Sequence, residues 1–232
     1  MDLTQLYLQY QPLFIPIYLL LVSMLSLVIS LKVKKLYDLS LHRGIKLFGL
    51  AFLFFSIAFF VQFIFSILMY FGYENNLTIR LTGMIFFNYL ISLPGFYIVY
   101  SLVRKEVEEN CTKTVSNLKV ASLHIIALII AIAGLFFPTL SNHLLFIPQL
   151  LVLAYGLLIS YQNYQATRQE RKNNFLQMYF IAMVLWFTGY LFNYLQGFVT
   201  PYLLIFPLYV QLLTLGIFII FFYGVIKVTS HN

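Results

Sequence analysis

Seven stretches of about 20 predominantly apolar residues, separated by short polar segments, constrain this chain more than any other feature. They cover residues 12–31, 46–70, 81–103, 121–138, 145–161, 175–197 and 202–226. At about 1.5 Å of rise per residue, such runs cross a bilayer's hydrocarbon core as α-helices, the one unclosed structure that satisfies its own backbone in lipid. The expected fold class is an all-α membrane protein, a single seven-helix transmembrane bundle over residues 1–232. Only residues 138–143 separate the fourth and fifth runs, and Pro138, Ser141 and Asn142 predict a tight turn there. Ahead of the first run, Leu3, Leu6, Tyr7 and Tyr10 recur at helical spacing and predict a short separate helix in the outer interface. The first run follows an N-terminus with Asp2 and no basic residue, so it reads as a mature span rather than a signal peptide.

Composition agrees with lipid as the surrounding solvent. The chain is 62% hydrophobic and 9% charged, against about 25% charged in a soluble domain. Its net charge of +7 is a matter of topology. Lys32, Lys34, Lys35, Arg43, Lys46, Arg104, Lys105, Lys113, Lys119, Arg168, Arg171, Lys172 and Lys227 fall on one side, and only Arg80 falls on the other. The positive-inside rule then places loops 32–45, 104–120 and 162–174 in the cytoplasm. The expected location is a cell membrane, multi-pass, with the N-terminus extracellular and the C-terminus cytoplasmic. The same distribution argues against nucleic acid as a partner. Loop 162–174 reads as an anchor to anionic headgroups.

Catalytic and metal-binding chemistry finds little to build on. All seven acids, Asp2, Asp38, Glu74, Glu106, Glu108, Glu109 and Glu170, lie outside the apolar runs. Intramembrane charge marks proton relays and ion coupling, so a carboxylate-driven pump is not expected. The histidines His42, His124, His143 and His231 read as lying in loops or at helix ends, without metal-ligand spacing. The single cysteine, Cys111, reads as a spare loop thiol. No nucleophile–base pair presents itself. The expectation is a non-enzyme with no metal and no cofactor.

Neutral polar residues inside the runs are the informative remainder. Gln62 and Ser66, Asn88 and Ser92, Asn193 and Gln196, Gln211 and Thr214, and Gln149 occupy five of the seven. Gln62, Asn88 and Gln211 each lie about 7–9 residues from the outer end, roughly 10–14 Å deep. In lipid such amides turn inward and find partners. They serve either as interhelical glue or as a hydrogen-bonding pocket walled by Trp186, Tyr89, Tyr190, Tyr194 and Tyr209. The candidate ligand-binding set is Gln62, Asn88, Asn193, Gln211, Trp186 and Tyr190, facing a small neutral polar ligand. Pro94, Gly95, Pro148 and Gly216 are candidate hinges.

The chain also carries signs of an internal repeat. Phe14-Ile15-Pro16 recurs as Phe146-Ile147-Pro148, and Ile29-Ser30 as Ile159-Ser160. Phe55 to Phe59 lies over Trp186 to Tyr190, which puts Gln62 on Asn193, and Gly95 lies over Gly216. The offsets fit a 3+1+3 duplication in which both triplets run the same way.

Seven helices in a 3+1+3 pattern resemble the SWEET sugar-transporter and PQ-loop families, and also the opsin-like seven-helix proteins. Pro148-Gln149 looks like the proline–glutamine pair of the PQ-loop group, whereas the first-repeat position reads Pro16-Ile17. The second and sixth runs lack the SWEET prolines. The last run reads Leu213-Thr214-Leu215-Gly216 at mid-depth, where an opsin carries its retinal lysine. The resemblance implies transport or ligand reception. Two functions follow: a facilitative carrier for a small uncharged polar solute, or a ligand sensor signalling to a separate cytoplasmic partner. The lipid bilayer is the expected medium, and a homo-oligomer is a further expected association.

Overall fold

A computed structural model describes residues 3–41, 43–73, 76–108, 113–137, 141–167, 174–199 and 204–230. The chain forms seven α-helices: α1 (Leu3–Ser40), α2 (Arg43–Tyr70), α3 (Leu77–Glu108), α4 (Lys113–Phe136), α5 (Ser141–Thr167), α6 (Asn174–Val199) and α7 (Phe206–Ser230). Cys111, the turn residue Pro138, His42, His231 and the basic residues Arg168, Arg171 and Lys172 lie outside the described residues.

α1, α2, α3, α5 and α6 contain their apolar runs whole, whereas α4 ends at Phe136, two residues before the end of its run, and α7 begins at Phe206, four residues into its run. α1 continues without a break through Pro12 and Pro16, so Leu3, Leu6, Tyr7 and Tyr10 belong to it and not to a separate interfacial helix. Tyr7 is buried and packs edge-on against Phe14, 6.3 Å away, which ties the first turns to the rest of the helix. Ser141 and Asn142 open α5 rather than forming a turn, in keeping with the preference of such residues for helix starts. α4 begins at Lys113, eight residues before its apolar run, because a polar segment satisfies its backbone equally well as helix.

The connections at the helix ends use ordinary turn chemistry. Gly72 takes φ +89° at the end of α2, where its N–H reaches the Met69 carbonyl at 3.1 Å. The Asn76 side-chain oxygen accepts from Ile79 N at 3.2 Å and caps α3.

Six helices form a ring in chain order. α1 packs on α2, α2 on α3, α3 on α5, α5 on α6 and α6 on α7, and α7 closes on α1. α4 stands outside this ring, against α3 and α5. The ring is held by small residues and hydroxyls at close approach, as expected where hydrophobicity supplies no drive between helices. Ser23 Oγ donates to the Ser56 carbonyl at 3.0 Å and Ser30 Oγ to the Gly49 carbonyl at 2.9 Å. These pairs set an antiparallel α1–α2 seam. Aromatic side chains fill the centre. Phe52 and Phe55 of α2 meet Trp186 of α6 at 5.9 and 4.9 Å, and Phe52 meets Phe221 of α7 at 5.2 Å.

The outside is apolar. Leu13, Ile17, Leu21, Met24, Val28 and Leu31 form an exposed stripe down α1, and Ile125, Leu128, Ile129, Ile132 and Phe136 do so on α4. A water-soluble protein leaves no such continuous apolar surface. Among the described residues, six helices are long and apolar enough to cross a membrane. This is an integral membrane protein.

Candidate functional site

Among the described residues, a cavity lies inside the ring, in the half opposite the basic ends of α1 and α2. It has a volume of about 180 Å³ and draws its walls from every ring helix: Tyr18, Phe59, Ile91, Gln149, Asn193 and Thr214 represent α1, α2, α3, α5, α6 and α7 in turn. The aromatic cluster floors it, with Phe55, Trp186 and Phe218 lining the cavity from below. Beyond that floor, toward the basic ends, lies a void of only about 20 Å³ lined by Phe48, Tyr179, Ala182, Ile220, Phe221, Gly224 and Val225.

Hydrogen bonds fix most of the cavity's polar groups. The Tyr18 hydroxyl of α1 lies beside the Thr214 side chain of α7. Thr214 Oγ1 donates to the Val210 carbonyl at 2.8 Å. Asn193 Nδ2 donates to the Gly189 carbonyl at 2.9 Å. Its second N–H and its Oδ1 remain for other partners. Tyr190 reaches across from α6 and donates to the Ile91 carbonyl of α3 at 3.3 Å.

Gln149 is fully buried on the α3–α5 seam. Its Nε2 donates to the Leu145 carbonyl at 3.1 Å, with Ser92 Oγ at 3.5 Å. Its Oε1 has no hydrogen-bond partner. A Cβ on Gly95 would lie 3.9 Å from that oxygen, so the missing side chain at Gly95 leaves Oε1 facing bare helix.

The structure sorts the residues singled out from sequence into two groups. Trp186, Tyr190 and Asn193 line the cavity together. Gln62, Asn88 and Gln211 do not. Asn88 is buried in α3, where its carbonyl accepts from Ser92 Oγ at 2.7 Å. Gln62 is half-buried on α2. Gln211 is half-buried on α7, with Oε1 buried and without a partner. Of the hinge candidates, Pro94 and Pro148 lie inside uninterrupted helices. Gly95 faces Gln149 across the α3–α5 seam, and a Cβ on Gly216 would meet nothing within 4 Å.

Tyr18, Phe55, Phe59, Phe87, Phe146 and Phe218 also line the cavity. Reading polar residues alone passes over them. α2 carries seven phenylalanines from Phe48 to Phe63, a density that marks the helix but not which of its rings turn inward.

His124 does not lie at a helix end. It sits well inside α4, half-buried, with Nδ1 2.8 Å from the Tyr89 hydroxyl and Nε2 2.8 Å from the Tyr97 hydroxyl. The early start of α4 at Lys113 moves it inward. His143, in the first turn of α5, has its Nδ1 2.8 Å from the Tyr194 hydroxyl.

No protein-family model, curated protein or solved structure matches the chain. Its function is therefore read from the cavity itself.

Proposed function

We propose that the protein is a seven-helix ligand sensor that binds a small uncharged molecule in the ring cavity and signals to a separate cytoplasmic partner. The supporting observation is the aromatic floor. Phe52, Phe55, Trp186, Phe218 and Phe221 close the ring below the cavity, with Trp186 and Phe221 only 5.3 Å apart. Below the floor, the void is lined by apolar side chains and the Tyr179 ring. A solute in transit needs polar partners along its whole path; a sensed ligand needs them only where it stops. The floor aromatics run from the cavity toward the basic ends of the helices, so a displaced Trp186 would press on Phe221 and Phe52 beneath it. In this reading the basic ends face the cytoplasm and the N-terminus faces outside. The partner would meet the basic loops, and a homo-oligomer is compatible with the exposed apolar faces.

One observation favours the carrier as a second reading. The ring has two seams between its triplets, α3 with α5 and α7 with α1. The helices run parallel at each, and the cavity lies between them. The α3–α5 seam carries Gly95 beside Gln149, and the α7–α1 seam carries Thr214 beside Tyr18. A 3+1+3 duplication exchanges these two seams, and rocking about them would alternate access.

Proteoliposomes loaded with the purified protein decide between the two. The sensor reading expects no saturable uptake of any solute in a labelled neutral panel. It also expects ligand-dependent thermal stabilisation that Asn193→Leu abolishes. Saturable uptake lost in Asn193→Leu would sink the sensor and establish the carrier.

A further inference from the structure

We infer that the cavity's ligand is a compact ring molecule, uncharged, carrying a single hydroxyl or N–H group; this rests on the reading of the cavity as a ligand site. Three observations lead there.

The first is size. At about 180 Å³, the cavity slightly exceeds the roughly 150 Å³ apolar cavity that accommodates benzene. One six-membered ring and one or two further heavy atoms fill it.

The second is charge. No acidic or basic residue lines the cavity. An ion taken out of water without a partner is strongly disfavoured, so carboxylates and phosphates are excluded. Aromatic faces alone attract quaternary ammonium groups, which makes a cation the nearest competing chemistry.

The third is the distribution of polar groups. Aromatic rings from Phe55, Phe59, Trp186 and Phe218 form the floor and one wall. The hydrogen-bonding groups stand above that floor on the same helices, Thr214 one turn from Phe218 on α7 and Asn193 two turns from Trp186 on α6. There Thr214 Oγ1 gives its proton to the Val210 carbonyl and can still accept, and Asn193 keeps a free amide edge beyond its bond to Gly189. Gln149 adds none, because its Nε2 is engaged and its Oε1 is sealed against α3. The walls thus satisfy one ligand hydroxyl or N–H, or at most two. A hexose would bury several hydroxyls without partners, at about 1–3 kcal/mol each. Sugars, the solutes of the SWEET family that the topology resembles, are therefore excluded here.

The ligand's ring lies against Trp186 and Phe55 in offset or edge contact, and its polar group points to Asn193 and Thr214.

Trp186 is the chain's single tryptophan and lines the cavity, so its fluorescence reports occupancy directly. Full-length protein in nanodiscs is titrated with benzyl alcohol, toluene, benzyltrimethylammonium and glucose. The inference expects a saturable change in Trp186 emission with benzyl alcohol. It expects an affinity about tenfold lower for toluene and for benzyl alcohol on Thr214→Val, the loss of one hydrogen bond. Ile217→Phe, which fills the cavity, abolishes the saturable phase. Thr214→Val is isosteric and keeps the test alive if Ile217→Phe does not fold. A saturable response to glucose or benzyltrimethylammonium but not to benzyl alcohol overturns the ligand class and leaves the cavity as a binding site. No saturable response to any probe overturns both. A benzyl alcohol response as strong in Ile217→Phe as in the native chain reports partitioning into lipid and overturns both as well.

Discussion

His124 of α4 is held between two tyrosines of α3, its two ring nitrogens each 2.8 Å from the hydroxyl of Tyr89 or Tyr97. A neutral imidazole has one N–H and one lone pair, so one tyrosine donates to it and the other accepts. The tyrosines stand eight residues apart, about 12 Å along α3, and the ring bridges them. Among the described residues, α4 packs on α3 and α5, and its His124 ring also meets Phe54 of α2 at 5.9 Å. This clamp is therefore a principal polar attachment of the outermost helix. A double-mutant cycle with Tyr97→Phe and His124→Phe should return a coupling of about 0.6–1.7 kcal/mol, the range of hydrogen bonds between membrane helices. Equilibrium unfolding in mixed micelles measures it. A coupling near zero would mean that the two groups find equivalent partners when separated.

The seam between α3, α5 and α6 closes over Gly156. A Cβ there would lie 2.7 Å from Val99 Cγ2 and 3.2 Å from Met183 Cε. Met183 can yield, but a β-branched valine on a helix has one strongly preferred rotamer. Gly156→Ala should therefore destabilise the protein by about 1–3 kcal/mol. Gly216→Ala provides the contrast: its Cβ meets nothing within 4 Å. It should be neutral, or stabilise α7 by up to about 1 kcal/mol. Thermal unfolding of the pair checks both. A Gly156→Ala protein as stable as native would refute the close approach.

Much of this architecture was legible in the sequence, and its failures share one cause. Length and hydropathy fix which residues are helical and how deep each lies, so seven helices and a polar layer in one half follow directly. They do not fix rotation about the helix axis. In a water-soluble helix the polar face identifies the outside. Here α1 exposes Leu13, Ile17 and Leu21 to lipid and buries Leu19, Val22 and Ile29, so both faces are apolar. Gln62, Asn88 and Gln211 sit at a cavity-compatible depth but line none of its walls. Asn193 shares their polarity and happens to point inward. Tyr18 and the phenylalanines of the wall are indistinguishable in sequence from lipid-facing aromatics. His124 was misplaced for a related reason: the polar start of α4 is helical, and hydropathy counts only its apolar part.

Leu41 ends α1 with φ +53°, its N–H reaching the Tyr37 carbonyl at 2.7 Å. This left-handed cap is usually glycine, because a Cβ there costs about 1–2 kcal/mol. Leu41 is 72% exposed, so little packing offsets that cost. After the greater entropy of glycine in the unfolded chain is counted, Leu41→Gly should stabilise by about 0.5–1 kcal/mol. Chemical unfolding in detergent should show this gain. A loss of stability would mean that the Leu41 side chain has an anchoring role.

Gln149 presents the sharpest test of the α3–α5 seam. Its side chain is fully buried, its Nε2 has one good bond to the Leu145 carbonyl, and its Oε1 has none. An unsatisfied buried acceptor costs about 1–3 kcal/mol, whereas an apolar group of the same shape removes that penalty. Leucine approximates glutamine in volume, and the Leu145 carbonyl retains its backbone helix partner. Gln149→Leu should therefore be neutral or stabilise by about 1 kcal/mol, with the helix content unchanged. Gln149→Glu should do the opposite and destabilise by several kcal/mol at neutral pH, since its carboxylate would be buried without a counter-charge. The two variants, compared by thermal unfolding at pH 5 and pH 8, separate the alternatives. If Gln149→Leu loses more than about 2 kcal/mol, the amide oxygen is engaged in the native membrane protein. The seam would then be a satisfied polar lock rather than a strained one.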